Sequence, residues 1–556
     1  MSSARRFLQS VPRLLAVAAV CCCASSASAQ LRIVDYNIAQ NYDIAGDPGG
    51  LNVIFAAIGA EVRNGFAKPI DVLAVQEATL NGSDAAAVAA ILNNIYGVTT
   101  YAAAPVPGNG VSGGNGLPGL VYNSASVSLL DTLAFGDVGS GGTQQPRSSL
   151  RYQLRPVGYD ATADFYLYNN HYKSDEGTAN QARRNLEAQG VRGDVDALGD
   201  GTHAIFVGDF NVYRSTEPMY QTLLAEGAGQ AFDPLDMPGS WSAPSQAETF
   251  KAIHTQSPAT VSAFSGQVLG GVNDRFDFQL LTGEFLDDEG LSYISGSYRT
   301  FGNDGTHTVG EAITTGTGAA PNVLTALAQS SDHLPVVVDY QLPAKLGVEV
   351  AAAPATVPAG SSASIDVMIQ NLASALTSLG ADELDYALSV TGDLIASASG
   401  TIAALAEGAT HPVALNTATP GMKSGVITVS TSSQGAANPL FTLPISFLVT
   451  ALEPTYAEAD FNEDGFVDGD DLASWKTNFG ATPASKEQGD ANLDGVVDGG
   501  DFLVWQRQFA AVEAIAAASS AVPEPASITL LLAALLCCRR RANSRRGRVR
   551  RRIEGC

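Results

Sequence analysis

The sequence predicts an α/β domain, followed by an all-β module and then by a pair of short helices. Short apolar runs such as 72–75 and 204–207 end in polar groups, which is typical of strands whose ends meet at one rim of a sheet. Between about 346 and 450, apolar and polar residues alternate with period two between turn-rich stretches. An acidic, glycine-containing loop begins at residue 460 and recurs at residue 490. These three patterns divide the chain into three folded parts.

Six short segments of the α/β part carry polar groups. They are Tyr36-Asn37, Gln76-Glu77, Asn170-His171, Gly208-Asp209-Phe210-Asn211, Phe276-Asp277 and Ser331-Asp332-His333-Leu334-Pro335. Hydrolysis of a phosphodiester near neutral pH needs an activated water, charge stabilisation and relief for the departing alkoxide. A histidine held by a carboxylate suits the first task. Carboxylate and amide oxygens suit Mg²⁺, Mn²⁺ or Ca²⁺ rather than structural Zn²⁺.

In this order the segments resemble the endonuclease/exonuclease/phosphatase superfamily, over roughly residues 31–343. The resemblance implies a DNase I-like four-layer α/β sandwich, with two mixed sheets face to face and helices outside. It also implies phosphoester hydrolysis with Mg²⁺ or Mn²⁺. The metal ligands that it implies are Glu77, Asn37 and Asp332.

The resemblance further implies a catalytic role for each of six residues. His333 matches the general base and Asp277 the carboxylate that orients it. Asp209 and Asn211 match the pair that orients the attacking water and holds the phosphate. His171 matches a second histidine on the phosphate, and Arg147 matches an arginine that contacts phosphate.

Plainer explanations of these residues stay open at this point. His333 and His171 also fit satisfied core histidines at strand ends. Asp277 shares a strand face with Gln279, which also fits a solvated face. Three further histidines match no segment and are expected on the surface or in loops: His203, His254 and His307.

The stretch 346–450 resembles immunoglobulin-like β-sandwich modules. Its alternating segments include 364–369, 425–429 and 443–447. A spacer is the expected role, and carbohydrate binding is the alternative.

The repeated loops at 455–511 have the spacing of Ca²⁺ sites, with oxygen groups at positions 1, 3, 5, 9 and 12 and glycine at 6. The predicted calcium ligands are Asp460, Asn462, Asp464, Asp468, Asp471, Asp490, Asn492, Asp494, Asp498 and Asp501. Amphipathic helices are predicted at 472–479 and 502–509. This arrangement resembles a type I dockerin, which implies a cohesin-like partner. A calcium-rigidified stalk is the alternative.

Both ends of the chain resemble export signals. Residues 1–29 carry arginines, an apolar stretch and Ala27-Ser28-Ala29, which indicates a secretory signal peptide cleaved after Ala29. All six cysteines lie at the two ends of the chain, so the exported body has none. Residues 522–552 begin with Pro-Glu-Pro after Val522 and end in arginines, resembling a PEP-CTERM sorting signal read by an exosortase. The apolar run of about 13 residues spans about 20 Å as a helix, so we expect transient membrane association.

The predicted function is a secreted, surface-associated, divalent-metal-dependent phosphodiesterase, with extracellular nucleic acid as the leading substrate. The formal net charge of −25 disfavours bulk electrostatic capture of polynucleotide. A phospholipid or sugar-phosphate phosphoesterase is therefore an alternative within the same chemistry. A degenerate domain that serves as a binding or scaffold protein is the alternative from another class.

Overall fold

The structure, a computed structural model, describes residues 30–39, 50–78, 83–107, 117–136, 147–452 and 455–509. The predicted signal peptide (1–29) and sorting segment (522–552) lie outside these residues. Among the described helices, none has both the length and the apolar character needed to cross a membrane. The chain divides into two compact units, Met1–Thr450 and Ala451–Cys556.

The α/β part contains two six-stranded sheets. Its strands are β1 (Gln30–Asn37), β2 (Val72–Ala78), β3 (Tyr101–Ala103), β4 (Leu117–Asn123), β5 (Val127–Phe135), β6 (Ser149–Pro156), β7 (Phe165–His171), β8 (Ala204–Asp209), β9 (Ala231–Phe232), β10 (Asp277–Thr282), β11 (Arg299–Thr300) and β12 (Val336–Gln341). The first sheet has the order β11-β12-β1-β2-β4-β3, and the second has the order β5-β6-β7-β8-β10-β9. Both sheets contain parallel and antiparallel pairs.

The helices of this part are α1 (Leu51–Ala60), α2 (Ser83–Tyr96), α3 (Thr178–Leu198), α4 (Pro218–Leu224), α5 (Ala247–Phe250) and α6 (Pro321–Ser330). Helices α1, α2 and α6 share a buried apolar cluster with one face of the first sheet. Helices α3 and α4 do the same with one face of the second sheet. A third cluster fills the space between the sheets. The predicted mixed α/β arrangement is therefore confirmed, with helix, sheet, sheet and helix in succession.

Residues 346–450 form two sheets around one apolar core. The strands are β13 (Leu346–Val350), β14 (Thr356–Pro358), β15 (Ser364–Asn371), β16 (Leu384–Val390), β17 (Leu394–Ile395), β18 (Ser397–Ile402), β19 (Ala409–Leu415), β20 (Gly421–Thr431) and β21 (Leu440–Thr450). The sheet orders are β13-β15-β19-β17 and β14-β21-β20-β16-β18. Strands are present at all three segments for which alternation predicted them.

The β-sandwich contacts the α/β part through backbone and side-chain hydrogen bonds. The backbone N–H of Leu342 donates to the carbonyl of Gly380, and that of Asp382 donates to the carbonyl of Leu342. The side-chain amide of Gln30 donates to the Thr377 hydroxyl over 3.4 Å. The sandwich therefore packs on the α/β part within a single compact unit, which a passive spacer would not require.

The second unit contains helices α7 (Gly469–Asn478) and α8 (Gly499–Phe509) on a small core that includes Phe461 and Trp505. Both helices were predicted to begin three residues later than they do. The earlier start of α7 has a local cause, because the Asp468 side chain caps the helix by accepting from the backbone N–H of Asp470.

Candidate active site

Strand register brings the predicted polar residues to one rim. In the second sheet, His171 of β7 and Asp277 of β10 both lie opposite Asp209 of β8. In the first sheet, Asn37 of β1 lies opposite Gln76 of β2. Along each of these strands, the residues two and four positions away belong largely to the inter-sheet core. The polar groups therefore sit at the upper edge of the space between the two sheets.

Gly208 allows β7 and β8 to approach at this rim. Its φ is +127°, and a Cβ there would lie 1.9 Å from the carbonyl oxygen of Asn170. Any larger residue would push the two strands apart. The glycine before Asp209 thus has a structural function in placing that carboxylate.

Glu77 reaches the rim through a β-bulge. Simple alternation would turn its side chain toward the helix layer, because its neighbour Gln76 points between the sheets. The pairing of β2 with β4 shifts between Val75 and Ala78, and Glu77 has a φ of +57°. This local irregularity re-aims the side chain, so that Glu77 Oε1 lies 3.3 Å from Asn37 Nδ2.

His333 and Asp277 form a buried pair. The distance from His333 Nδ1 to Asp277 Oδ2 is 2.8 Å. Burial lowers the pKa of His333, but the charges of Asp277 and then Asp209 more than offset it, so the pKa is raised well above its usual value. Ser331 fixes the backbone nearby, because its hydroxyl donates to the carbonyl of Asn37 and accepts from the N–H of His333. A histidine held in this way has the form of a general base.

Gln256 occupies the other ring nitrogen of His333 and was missed by the sequence analysis. Its Nε2 lies 2.8 Å from His333 Nε2. With Nδ1–H donating to Asp277, Nε2 accepts from this amide in the neutral form of the ring. Gln256 lies in an irregular stretch, and no periodicity or spacing in the sequence pointed to it.

Asp209 lies at the centre of the site. Its Oδ2 is 3.7 Å from His171 Nε2, 3.8 Å from His333 Nε2 and 3.3 Å from Asn37 Nδ2. Burial raises the pKa of Asp209 to about 7, with further raising by Asp277 and Glu77 against the lowering effect of His333. Burial, helped by the charge of Arg147, lowers the pKa of His171 well below its usual value. His171 is therefore neutral at physiological pH.

Asn211 and Arg147 lie beside the rim and share one backbone acceptor. Asn211 Nδ2 donates to the carbonyl of Tyr172 over 3.1 Å, and its backbone N–H donates to Asp209 Oδ1 over 2.9 Å. Arg147 Nη1 donates to the same carbonyl over 2.8 Å. The guanidinium of Arg147 is thus held near His171 by the backbone.

A buried polar layer lies directly beneath the site. Gln76 Nε2 donates to Asp35 Oδ1 over 2.6 Å and to Asn169 Oδ1 over 2.7 Å. Burial, and then the charge of Asp277, raise the pKa of Asp35 well above its usual value. Asp35 lies two residues before Asn37 on the same strand face, so alternation from Asn37 was the signal that could have found it.

The predicted metal ligands fall into two groups. Asn37 contacts both Glu77 Oε1 and Asp209 Oδ2 at 3.3 Å, so these three share one edge of the site. Asp332 instead accepts the backbone N–H of Val268 through Oδ2. Among the described residues, three titratable side chains have possible ligand atoms that all lie within 4.8 Å of one another: Asp209, Asp277 and His333. The carboxylates of Glu77 and Asp209 both lie next to the Asn37 amide, whose Oδ1 accepts from the backbone N–H of Ala39. Two carboxylates beside an amide are a residue set that fits a hard divalent cation.

The plainer expectations for several residues were wrong. Asp277 and Gln279 are both fully buried between the sheets, so Asp277 is not on a solvated face. Three histidines lie in loops, as one of the two expectations for them had it, but they are buried rather than exposed: His203, His254 and His307. His203, for example, packs edge to face on Phe285.

Each of the two acidic loops folds around its own aspartates. Asp471 Oδ1 accepts from the backbone N–H groups of Phe461 and Asn462, and its Oδ2 accepts from that of Asp468. Asp460 accepts from the backbone N–H groups of Asp464 and Gly465. The second loop repeats this pattern with Asp501 and Asp490.

The two loops are also tied to each other through their helices. Trp475 Nε1 donates to the carbonyl of Asp498, and Trp505 Nε1 donates to the carbonyl of Asp468. Asp460, Asp471, Asp490 and Asp501 are all buried. The oxygen-rich loops fit the predicted spacing of calcium ligands, and calcium binding itself stays a prediction.

No protein-family model matches the chain, and no curated protein matches it. Solved structures do. The chain is similar to an endonuclease/exonuclease/phosphatase family protein from Bacteroides thetaiotaomicron (17% identity, 56% of this chain and 94% of that chain, TM-score 0.33). It is similar to one from Bacteroides vulgatus (16%, 56% and 99%, 0.34) and to a mannosyl-6-phosphatase from Bacteroides thetaiotaomicron (17%, 56% and 99%, 0.33). Similarity at this level leaves the activity of this chain to be argued from its own geometry.

Proposed function

We propose that the α/β part is a divalent-metal-dependent phosphoesterase, with nucleic acid phosphodiesters as its leading substrate. The observation that carries the proposal is the 2.8 Å contact between His333 Nδ1 and Asp277 Oδ2. The other nitrogen of the same His333 ring faces Asp209. A buried histidine with a carboxylate on one nitrogen and a second carboxylate near the other is arranged for proton transfer to and from water.

The proton-transfer step is assigned to His333. Its Nε2 takes a proton from a water that lies beside Asp209, while Asp277 holds the ring and stabilises the imidazolium. Asp209 and the neighbouring Asn211 orient that water. The 2.8 Å contact of Gln256 with Nε2 must loosen when water takes its place.

Binding of the phosphate is assigned to the opposite side of the site. Neutral His171 is able to donate a hydrogen bond from its ring N–H to a phosphate oxygen. Arg147 is held near His171 and adds the positive charge of its guanidinium. Together they supply donors to oxygens that gain charge in the transition state.

Glu77 and Asn37, together with Asp209, are the residues that would hold Mg²⁺ or Mn²⁺, and Asp332 is the further predicted ligand. When bound, such an ion supplies Lewis-acid stabilisation of phosphate charge and of the leaving oxygen. In the orientation described, the Asn37 amide N–H₂ lies between the two carboxylates, so its Oδ1 would face an ion only after the amide turns over.

The test is an assay of the mature chain with plasmid DNA, RNA, bis(p-nitrophenyl) phosphate, sphingomyelin and a sugar phosphate, each with Mg²⁺, Mn²⁺ or EDTA. His333→Gln is the inactive variant, and His203→Gln is the matched control, because His203 is also buried but lies outside the site. Metal-dependent cleavage of polynucleotide that is lost only in His333→Gln is the expected result. Equal activity of both variants would contradict the assignment.

A phospholipid or sugar-phosphate phosphoesterase is the second candidate. The net charge of −25 favours it, because polynucleotide binding normally depends on many basic residues. Activity confined to the lipid or the small phosphoesters in the same assay would select it. A degenerate scaffold predicts no activity on any substrate, and the completeness of the His333, Asp277 and Asp209 group speaks against that.

Export and surface association are proposed from the sequence alone. We infer secretion through the signal peptide, sorting of the C-terminal segment by an exosortase-like enzyme and two Ca²⁺ ions in the acidic loops. A cohesin-like partner of the loop module is part of the same proposal. Fractionation of cells that express the full chain tests it: protein retained in the cytoplasm with an intact N-terminus would contradict secretion.

A further inference from the structure

Acidic residues of two different parts of the chain meet where the β-sandwich packs on the α/β part. Asp287, Asp288 and Glu289 follow the short helical turn Gly283–Phe285. Asp382, Glu383 and Asp385 lie at and just before the start of β16. The backbone N–H of Gly290 donates to Asp382 Oδ2 over 2.9 Å, which joins the two groups directly. We call these residues the junction cluster.

Asp382 is the buried member of the junction cluster. Its exposed fraction is 1%, and its Oδ1 has no hydrogen-bond partner among the described residues. Burial, with smaller contributions from Glu289 and Glu383, raises the pKa of Asp382 to about 7. The backbone N–H groups of Gly290 and Glu383 act on this carboxylate. Leaving its Oδ1 buried without a partner is costly, so a bound cation would stabilise it.

Gln434 offers a second unsatisfied oxygen at the same place. Its Oε1 is buried and has no partner among the described residues. A Cβ on Gly290 would lie 2.9 Å from this Oε1 and 2.9 Å from the Gln434 carbonyl oxygen. Gly290 thus contacts both Asp382 and Gln434, and any side chain at position 290 would collide with these oxygens.

No positive side chain neutralises the junction cluster. Within the described ranges, none of its carboxylates forms an ion pair with Lys, Arg or His. Asp287 accepts from the Ser292 hydroxyl and Asp385 from the Thr401 hydroxyl, while Glu289 and Glu383 are exposed at the rim. Repulsion among these carboxylates also raises the pKa of Glu289, after the effect of its partial burial. All the available donors are oxygens, which suits Ca²⁺ and excludes soft metals.

We propose that the junction cluster binds a Ca²⁺ ion, with Asp382 Oδ1 and Gln434 Oε1 as its buried ligands and Glu289 and Glu383 supplying charge at the rim. The ion links the α/β part to the β-sandwich, because Glu289 comes from the former and the other three residues from the latter. This site is separate from the candidate active site and from the two acidic loops, and it does not depend on the proposed activity.

The test counts bound Ca²⁺ in the full mature chain by isothermal titration calorimetry, and follows Ca²⁺-dependent thermal unfolding of the same samples. Asp382→Asn is the variant, and Asp393→Asn is the matched control in the same sandwich, where Asp393 pairs with Lys423. We expect Asp382→Asn to bind one ion fewer and to lose part of the Ca²⁺-dependent rise in Tm, with no change in the control. Equal ion counts in the two variants would overturn the proposal.

Two substitutions of Gln434 keep the proposal falsifiable if Asp382→Asn does not fold. Gln434→Met removes the Oε1 with little change of shape, so one ion fewer supports the site and an unchanged count overturns it. Gln434→Glu adds a charged ligand oxygen, so Ca²⁺ should bind about tenfold more tightly. If the Gln434 amide instead donates to Asp382, Gln434→Glu lowers stability without any gain in Ca²⁺ affinity, which also overturns the site.

Discussion

Replacement of Asp277 by Asn tests the proposed proton-transfer pair most directly. Asp277 accepts from His333 Nδ1 over 2.8 Å between two buried side chains, so a charge-assisted hydrogen bond is lost. An amide can also donate to Nδ1, which would leave the proton on Nε2 and disable the base. General-base catalysis contributes about 10²–10⁴-fold in rate, so kcat should fall by that range, or about 3–5 kcal/mol of barrier.

The pH dependence of Asp277→Asn gives a second readout. Asp277 raises the pKa of His333 against the effect of burial, so removing its charge lowers that pKa. The acidic limb of kcat/KM should therefore move to lower pH. Because the pKa of His333 is higher in the folded than in the unfolded protein, its protonation stabilises the fold. This contribution is complete below the unfolded-state pKa of about 6.5 and is lost as pH rises through the folded-state pKa. The variant's stability loss should accordingly be largest below about pH 6.5.

The assay compares kcat and the pH profile of Asp277→Asn with those of Asp194→Asn on whichever substrate the wild type cleaves. Asp194 of α3 is a matched control because it also accepts from a basic group, Arg151, but lies on the helix side of the second sheet rather than in the site between the sheets. A kcat above one tenth of wild type, with an unshifted pH profile, would refute the proposed role of Asp277.

Four further outcomes are expected. Gln256→Ala removes the amide that water must displace from His333 Nε2, so kcat in steady-state kinetics should stay within a few-fold of wild type or rise; a tenfold fall in kcat would contradict this role. Gly208→Ala should lower the free energy of unfolding in urea by about 3 kcal/mol, because the added Cβ would lie 1.9 Å from a carbonyl oxygen. A decrease below about 1 kcal/mol would argue against this close approach of the two strands. EDTA should reduce the far-UV circular dichroism of the acidic-loop unit, and Asp471→Ala should remove about half of that calcium effect. The rate should depend only weakly on salt, since a steep fall of log(kcat/KM) with log[salt] would reveal many phosphate contacts.

Much of the site could be predicted from the sequence because its residues end regular strands. His171, Asp209 and Asp277 lie in register across three neighbouring strands, and each follows or begins an apolar run that marks the strand. The aspartates of the acidic loops were named as calcium ligands from their spacing, and that assignment stays a prediction. Asp35 is the exception, because alternation from Asn37 pointed to it and the sequence analysis did not name it.

The rest depends on departures from regularity or on contacts between distant segments. The resemblance named Glu77, but the β-bulge through which its side chain reaches the site is not something that alternation predicts. Gln256 meets His333 from an irregular stretch 77 residues earlier in the chain. The packing of the sandwich on the α/β part, and with it the burial of Asp382, follows from the joining of two domains whose separate patterns contain no sign of it.

The basic residues around the site favour local capture of a single phosphate over tracking along a long polyanion. Four basic residues near the site each pair with a carboxylate. The pairs are Lys173 with Asp175, Arg183 with Glu187, Arg184 with Glu217, and Arg214 with Glu176. These pairs cancel charge that would otherwise attract a polyanion over distance. The groups proposed to act on the phosphate are Arg147, neutral His171 and the cation that Glu77 and Asn37 would hold. Substrates should therefore be selected by contacts at the reacting phosphate and its immediate neighbours, which a short or single-stranded nucleic acid can satisfy as well as a small phosphoester can.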